Sequence, residues 1–136
     1  MFDGADLIAA TEVKENNRLE MLPKFFGRHF MAFEHLVYQH AKNLSSDYCG
    51  GYWEFFTLSN GGFFMSLNGE KFDMSVPGNG FSHTVDGSTF GIIVCLFALN
   101  QAAWTFNTAE MNRLYHLLLD YASQRPDAAL IFRAID

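Results

Sequence analysis

Cysteine, proline and basic side chains are scarce in this chain of 136 residues, and each scarcity excludes a class of protein. The two cysteines, Cys49 and Cys95, are best explained as small buried hydrophobic residues, with a disulfide between them the less favoured alternative. Three prolines and no Pro/Gly/Ser-rich tract mark no domain boundary, so residues 1–136 are expected to form one domain. Nine Lys and Arg against 15 Asp and Glu give a net charge of -6, which argues against a sequence-independent nucleic-acid binder.

Signals for secretion and membrane insertion are also missing. The first fifteen residues carry four acidic side chains and one Lys, unlike the basic start of a signal peptide, so a cytoplasmic protein is expected. The longest apolar run begins at Gly91 and reaches Leu99. Even if it extended to Phe106 it would span about 24 Å as a helix, short of the roughly 30 Å of a bilayer core. We therefore expect this run to lie inside the domain and not in a membrane.

Apolar residues can supply a sizeable core, since 49% of the chain is hydrophobic and 15 residues are Phe. After a polar leader over residues 1–11, which is expected to be flexible, a short helix is predicted over Glu12–Leu22, ended by Pro23. Hydrophobic residues at helical spacing predict a second helix across residues 30–44. They are Phe30, Phe33, Val37, Ala41 and Leu44.

The middle of the chain changes to extended patterns. Runs over Tyr52–Leu58, Phe63–Leu67 and Lys71–Val76 are separated by glycine-containing turns. Asn68-Gly69 has the composition of a tight hairpin turn, so the three runs are predicted to form a three-stranded antiparallel meander. Pro77-Gly78-Asn79-Gly80 is expected to close the meander, because proline cannot donate a hydrogen bond to a continuing ladder.

Residues 87–109 contain no charged side chain, which predicts an element enclosed by the rest of the domain. A helix capped by Asp86 or Ser88 is favoured, and Ile92-Ile93-Val94 leaves a strand as the alternative. Thr108 offers the cap of a further amphipathic helix, and a short amphipathic piece follows it. The expected fold class is α+β, with a small three-stranded antiparallel meander packed against about four to five helices.

Catalytic and metal-binding signatures are weak. Gly80-Phe81-Ser82-His83-Thr84 is close to a nucleophile elbow but lacks its second glycine, so Ser82 is predicted to be a loop hydroxyl. The five histidines lack ligand spacing, and no glycine run completes a phosphate loop. Aromatic residues between positions 52 and 64 have no basic neighbours, which indicates a packed sheet face instead of a base-stacking platform. We therefore expect no catalytic residue, no metal and no cofactor.

One long block carries a specific pattern. Residues 47–65 read D-Y-C-G-G-Y-W-E-F-F-T-L-S-N-G-G-F-F-M, with a Trp, two glycine pairs and Asn-Gly-Gly in order. This block resembles the signature of the ArdB/KlcA antirestriction family. The likeness continues nearly along the whole chain, at Leu22-Pro23, Phe26-Gly27, Gly91–Leu96, Asp120-Tyr121-Ala122 and Ile135-Asp136.

The resemblance implies a small protein, carried by plasmids and other mobile elements, that protects incoming DNA by inhibiting the host's type I restriction enzymes. It further implies a single α+β domain with no enzymatic activity, which spares the modification activity of the same complexes. The expected partner is a type I restriction complex, subunit unspecified, or one of its regulators.

The charge of the chain bears on how such inhibition could work. Ten base pairs of duplex DNA present roughly 20 negative charges along about 34 Å. The 15 acids of this chain are mixed with nine bases and are divided evenly between its halves, so they cannot reproduce such a rod. Inhibition by protein contact, or by an indirect effect in the cell, is therefore predicted in place of DNA mimicry or direct nucleic-acid binding.

Turns near the signature block are the candidate contact surface, since turns hold recognition groups on a rigid sheet. The candidates are Asp47 and Tyr48 before the first strand and Ser59, Asn60, Gly61 and Gly62 after it. A purely geometric role in the hairpin is the favoured alternative for these residues. Two other functions stay open: a small hydrolase that uses Ser82 and His83, and a module that encloses a small apolar ligand among its phenylalanines.

Overall fold

The computed structural model describes residues 7–68 and 71–136. In these residues the helices are α1 (Arg18–Phe26), α2 (Phe30–Leu44), α3 (Gly87–Phe106), α4 (Ala109–Ser123) and α5 (Ala128–Ile135). The strands are β1 (Ala10–Glu12), β2 (Trp53–Leu58), β3 (Phe63–Leu67), β4 (Lys71–Val76) and β5 (Phe81–Asp86). The predicted α+β class and helix number are confirmed.

The strands form two antiparallel sheets, which corrects the predicted composition of the meander. The first sheet has the order β1-β2-β3, and the second is the β4-β5 hairpin. The sheet is three-stranded as predicted, but its third strand is Ala10–Glu12 and not Lys71–Val76. Pro77–Gly80 forms the turn of the second hairpin instead of ending a sheet, with φ of 92° at Gly78 and 76° at Gly80. The Gly69 half of the predicted Asn68-Gly69 turn lies outside the described residues.

Helix α3 explains why β4 does not pair with β3. The edge of β3 that faces away from β2 lies directly under this helix. A Cβ atom built on Gly87 would lie 1.4 Å from the Leu67 carbonyl oxygen, and one on Gly91 would lie 1.9 Å from that of Met65. The Met65 N–H donates to the Cys95 Sγ at 3.4 Å. Because the helix occupies this edge, β4 pairs with β5 instead.

The N-terminal predictions need correction as well. The predicted helix over Glu12–Leu22 is replaced by β1, a 3₁₀ turn over Glu15–Asn17 and α1. Pro23 lies inside α1, which continues to Phe26 and ends at Gly27 with a φ of 53°. A proline inside a helix cannot donate the backbone hydrogen bond of its turn. Packing stabilises the end of α1 instead, since Phe26 stacks on Phe33 with ring centroids 4.0 Å apart.

Part of the expected flexible leader belongs to the fold. The Ile8 N–H donates to the Gln124 side chain at 2.7 Å, and the Ala9 N–H donates to the Ser59 hydroxyl at 2.9 Å. Strand β1 then begins at Ala10. Residues 1–6 of that leader lie outside the described residues.

Helix α3 is the centre of the core, and the helix prediction for this uncharged segment is confirmed. The Asp86 carboxylate caps it by accepting from the Thr89 N–H at 2.8 Å. By length and composition α3 could cross a membrane, but most of it is buried against β3, α2, α4 and α5, as in the core helix of a domain. Helices α2 and α4 lie where their periodicity predicts, and Thr108 caps α4 by accepting from the Met111 N–H.

The cysteines differ in environment, and both are free thiols. Cys95 is buried as predicted, and burial raises its pKa to about 12. Cys49 is exposed, so its prediction as a buried residue is wrong. It lies in the irregular segment before β2, where Gly50 and Gly51 have positive φ and no helix or strand covers the chain.

Candidate functional site

The two predicted contact regions lie at opposite ends of β2. Asp47 and Tyr48 precede the strand at Trp53, and the Ser59–Gly62 turn follows it at Leu58. Five steps of about 3.3 Å separate Trp53 from Leu58, or roughly 17 Å along the strand. The structure therefore does not bring the six predicted residues together into one site.

The Ser59–Gly62 turn is bonded into the fold. The Asn60 amide donates to the Leu117 carbonyl of α4 at 2.9 Å, and its oxygen accepts from the Gly62 N–H at 3.0 Å. Ser59 exchanges hydrogen bonds with Ala9 through both its hydroxyl and its N–H. Gly61 has a φ of 96°, which favours glycine. These contacts join β2 to the N-terminal segment and to α4, so each polar side chain of the turn has a structural role.

Asp47 and Tyr48 are also held by hydrogen bonds, but they border open space. The Asp47 carboxylate accepts from the Asp73 N–H at 2.8 Å and so closes the outer edge of β4. The Tyr48 hydroxyl accepts from the Trp53 indole N–H at 3.1 Å. The half-buried Tyr48 ring also lies 5.8 Å from Trp53 and 6.5 Å from Phe90, centroid to centroid. Tyr48 is thus fixed in position with one side toward solvent.

A hollow lies beside this segment between α1, α2 and the start of β2. We call it the aromatic cleft; it has a volume of about 240 Å³. Its polar and aromatic walls are Arg18, Phe30, Glu34, Tyr38, Tyr52, Trp53 and Phe55. Burial, and next the Glu34 carboxylate, raise the pKa of Tyr38 to about 12, so this hydroxyl stays protonated at neutral pH.

Arg18 organises the aromatic cleft. Its guanidinium carbon lies 4.0 Å from the centroid of Tyr52 and 4.9 Å from that of Phe55, which are cation–π distances. One terminal nitrogen donates to the Trp53 carbonyl. Among the described residues the Arg18 Nε is a buried nitrogen that makes no hydrogen bond. Aromatic faces and one carbonyl therefore hold the charge, and no carboxylate in the described part of the chain forms an ion pair with it.

A second hollow, the α2 groove, continues from the aromatic cleft, because Tyr38 and Gly51 line both. It has a volume of about 730 Å³ and runs between the exposed side of α2 and the segment before β2. Its walls are His35, Tyr38, Gln39, Lys42, Asn43, Tyr48, Cys49, Gly50 and Gly51. These walls carry a Lys, a His, two tyrosines and two amides and no carboxylate, so the groove suits a polar or acidic chain segment.

Sequence reasoning found one border of this site and missed the other. The signature block predicts a role for Tyr48, whereas no sequence pattern points to Arg18, Glu34 or Tyr38. Arg18 reaches Trp53 across 35 positions of sequence, a separation at which no local period gives a signal. The packing partner of Tyr38 is also distant in sequence, since its ring lies 6.3 Å from that of Trp53.

The residues considered for catalysis do not form a site. Ser82 and His83 lie on β5, so the loop predicted for Ser82 is wrong. Neighbouring strand residues point to opposite faces, which separates the Ser82 hydroxyl from the His83 ring. In the described ranges no three His, Cys, Asp or Glu side chains are grouped to hold a metal ion.

The interior does not favour the apolar-ligand alternative. Phenylalanine rings pack against one another, with centroids 5.9 Å apart for Phe33 and Phe63 and 4.4 Å apart for Phe72 and Phe90. Phe56 stacks on Phe64 at 4.9 Å, which agrees with the packed sheet face predicted for these aromatic residues. These phenylalanines are thus used in packing the core.

Comparisons with known proteins agree with this architecture. The profile of the antirestriction protein family matches residues 46–136. Antirestriction protein KlcA of Escherichia coli is 42% identical over 137 residues, covering 95% of this chain and 94% of KlcA. The putative antirestriction protein YubI of Escherichia coli K12 is 30% identical over 131 residues, covering 91% of this chain and 93% of YubI.

A solved structure matches over the full length of both chains, with a TM-score of 0.87 and 39% identity. It comes from work on the KlcA and ArdB proteins that describes a novel fold and antirestriction activity against type I DNA restriction systems in vivo but not in vitro. The signature block, the matched profile and the shared fold lead to one conclusion: this chain belongs to the antirestriction protein family of KlcA and ArdB.

Proposed function

We propose that this protein inhibits restriction by type I systems in the bacterial cytoplasm by contact with a protein, and that it does so without catalysis, cofactor or DNA mimicry. The partner is a type I restriction complex or one of its regulators. The observation that carries the proposal is the α2 groove beside the family's signature block, an open surface with tyrosines and no carboxylate wall.

The placement of the carboxylates argues against DNA mimicry. A mimic needs free carboxylates at phosphate spacing, about one charge per 1.7 Å of duplex. Five acids instead have their carboxylates bound by backbone N–H groups, hydroxyls or arginines of the fold, most of them at its surface. They are Asp47, Asp73, Asp86, Glu110 and Asp127. The other ten acids are spread along the sequence among nine basic residues, which does not favour an unbroken row of negative charge.

The part of the chain that supplies α1 and α2 is less acidic than the rest. Residues 14–42 hold five of the nine basic residues and three of the 15 acidic ones. A chain of net charge -6 therefore carries a local balance of +2 on the segment that forms α1 and α2. Exposed tyrosines next to such a segment have the composition of a protein-binding surface, where Tyr and Arg are enriched.

The behaviour described for KlcA and ArdB supports a partner that is present in the cell. Activity in vivo but not in vitro is the pattern of an inhibitor whose target or target state is lost on purification. For this chain we propose the same requirement. Two partners meet the requirement for a component present only in the cell. One is a cellular regulator of the restriction complex, and the other is the complex in the state it adopts during restriction.

Tyr52 and Lys42 test the contact surface, since both are exposed and neither is in the packed core. In cells that carry a type I system, Tyr52→Ala and Lys42→Glu are expected to reduce the plating of unmodified phage by about tenfold or more relative to the parent protein. Trp104→Ala is the matched control, because Trp104 is 82% exposed and lines neither hollow. Tyr52 lines the aromatic cleft and Lys42 the α2 groove, and full protection by both variants at normal protein levels would contradict the proposed surface.

The Ser59–Gly62 turn remains a proposal as a second contact point. Its test needs two readouts, because Asn60 also joins β2 to α4. Asn60→Ala, with Gly61 and Gly62 kept, is measured for thermal unfolding and for phage protection in parallel. Protection that falls only as far as stability falls assigns the turn a structural role.

A further inference from the structure

The edges of the two sheets are protected unequally. The outer edge of β3 is covered by α3, and β1 is only three residues long. The outer edge of β4 is closed by side chains, because Asp47 accepts from the Asp73 N–H and the Ser45 hydroxyl donates to the Asp73 carbonyl at 2.6 Å. Natural proteins protect edges by such devices, since an open edge pairs with other strands.

Strand β5 has no such protection in the described part of the chain. Asp73 directs its N–H and carbonyl away from β5, so its register partner Thr84 is in a non-hydrogen-bonded pair. The N–H and carbonyl of Thr84, and by the same alternation those of Ser82, therefore point away from β4. Ser82, His83 and Thr84 are all exposed, and none of them carries a fixed charge that would repel a strand.

The sequence of this edge is self-complementary in an antiparallel arrangement. With His83 opposite His83 of a second copy, Ser82 of each chain lies opposite Thr84 of the other. In each of these two pairs, the outward N–H and carbonyl of Ser82 bond to the outward carbonyl and N–H of Thr84 in the other chain. Phe81 then faces Val85, and Gly80 faces Asp86, so no two like charges are opposed.

We infer that β5 is a docking edge for a second copy of this chain, giving a continuous sheet of the order β4-β5-β5-β4 across a two-fold axis. The occupant is a second copy because the outward backbone groups of Ser82 and Thr84 pair with those of Thr84 and Ser82 in the other chain, and no like charges are opposed. A two-stranded hairpin is also the sheet that gains most from additional strands. The contact is confined to one six-residue strand, so the dimer is weak and forms with rising concentration.

Thr84→Pro tests the hydrogen bonds of the edge. Proline at an outward-facing edge position removes the N–H without breaking the β4-β5 ladder. Two symmetric hydrogen bonds are lost per dimer, so the dissociation constant measured by sedimentation equilibrium is expected to rise about thirtyfold. Thr84→Val is the matched control: it loses the hydroxyl that donates to Asp73 but keeps the N–H, and it is expected to dimerise as the parent does.

Charge exchange at His83 gives a second test that does not depend on proline. His83→Glu and His83→Lys place like charges opposite each other in the homodimer, and each variant alone is expected to stay monomeric. An equimolar mixture of the two is expected to form the dimer again. In the parent protein, the amides of Ser82 and Thr84 are expected to become protected from hydrogen exchange as concentration rises.

Three results would overturn the inference. The first is a parent protein that stays monomeric up to about millimolar concentration, the range of the weakest specific complexes. The second is a dimer that Thr84→Pro leaves unchanged. The third is Ser82 and Thr84 amides that become protected only in the presence of a different protein, which would assign the edge to that partner.

Discussion

Two glycines one helical turn apart set how closely α3 approaches β3. The space opposite each is filled by a strand carbonyl, so any side chain there requires the helix to move. Gly91→Ala is expected to destabilise the protein by about 3 kcal/mol through this overpacking, measured by urea unfolding. Asn100→Ala, an exposed change on the same helix, should stay within about 0.5 kcal/mol of the parent. Equal stabilities for the two variants would contradict the close packing.

Glu54 gives the structure a pH dependence of defined sign. Burial, followed by the hydrogen bond and charge of Glu12, raises the pKa of Glu54 above its ordinary value of 4.5. A raised folded-state pKa contributes stability below the unfolded-state value, and that contribution is lost as pH rises through the folded-state pKa. At neutral pH the ionised Glu54 is therefore a cost to the fold.

Glu54→Gln is accordingly expected to be more stable than the parent near neutral pH, with an advantage that shrinks as the pH falls toward 4.5. Urea unfolding at several pH values measures the difference. Glu110→Gln is the control of opposite sign, because the hydrogen bond from Arg113 lowers the pKa of Glu110. An advantage of Glu54→Gln that grows toward acidic pH would refute the assignment.

At the scale of elements, the turn of the second hairpin anchors the last helix. The Asn79 amide donates to the carbonyls of Ala134 at 2.9 Å and Asp136 at 3.2 Å, while its oxygen accepts from the Phe81 N–H at 2.9 Å. Arg133 lies over the Phe81 ring at 5.8 Å. Asn79 therefore ends α5 and shapes the β4-β5 turn with one side chain.

Asn79→Asp separates these two roles, since aspartate keeps the acceptor for Phe81 but loses the donor to α5. We expect faster hydrogen exchange in α5 with little change in β4 and β5, and a loss of about 1 kcal/mol in stability. Asn79→Ala should accelerate exchange in both regions. If α5 exchanged at the parent rate in both variants, Asn79 would not be its anchor.

The elements that could be predicted from sequence are those with a local signal. Helical spacing and side-chain caps located α2, α3 and α4, and turn residues located β2 and β3. Strand pairing could not be predicted, because the competitor for the edge of β3 is a helix that begins twenty residues after that strand ends. Strand β5 is not predicted because the residues Pro-Gly-Asn-Gly are equally typical of a segment that ends a sheet and of a turn that joins two paired strands.

The candidate site could be predicted only for residues inside the signature block, residues 47–65. Tyr48 lies in that block, and the structure adds the groove beside it. Arg18 and Tyr38 come from α1 and α2, and they meet Trp53 only through the packing of those helices on the sheet. For Asn60 only the bond from the Gly62 N–H is local and explains the Asn-Gly-Gly turn, whereas its bond to the Leu117 carbonyl depends on the packing of α4.

At the scale of the whole molecule, the net charge of -6 is distributed unevenly along the sequence. The segment that forms α1 and α2 is locally basic, while the remainder of the chain is strongly acidic. Such a division is unlike a DNA mimic and fits a protein that presents one face to a macromolecular partner. The full-length match to a KlcA and ArdB structure places the same architecture in the antirestriction family.

Competition with duplex DNA tests the central claim most directly. Purified protein is titrated into a type I restriction complex bound to labelled duplex, at several salt concentrations, with a polyanion as the positive control. The absence of DNA mimicry predicts that the duplex stays bound at every salt concentration, while the polyanion displaces it at low salt. Displacement of the duplex with a steep salt dependence would contradict the account, because that is the signature of competing phosphate-like charge.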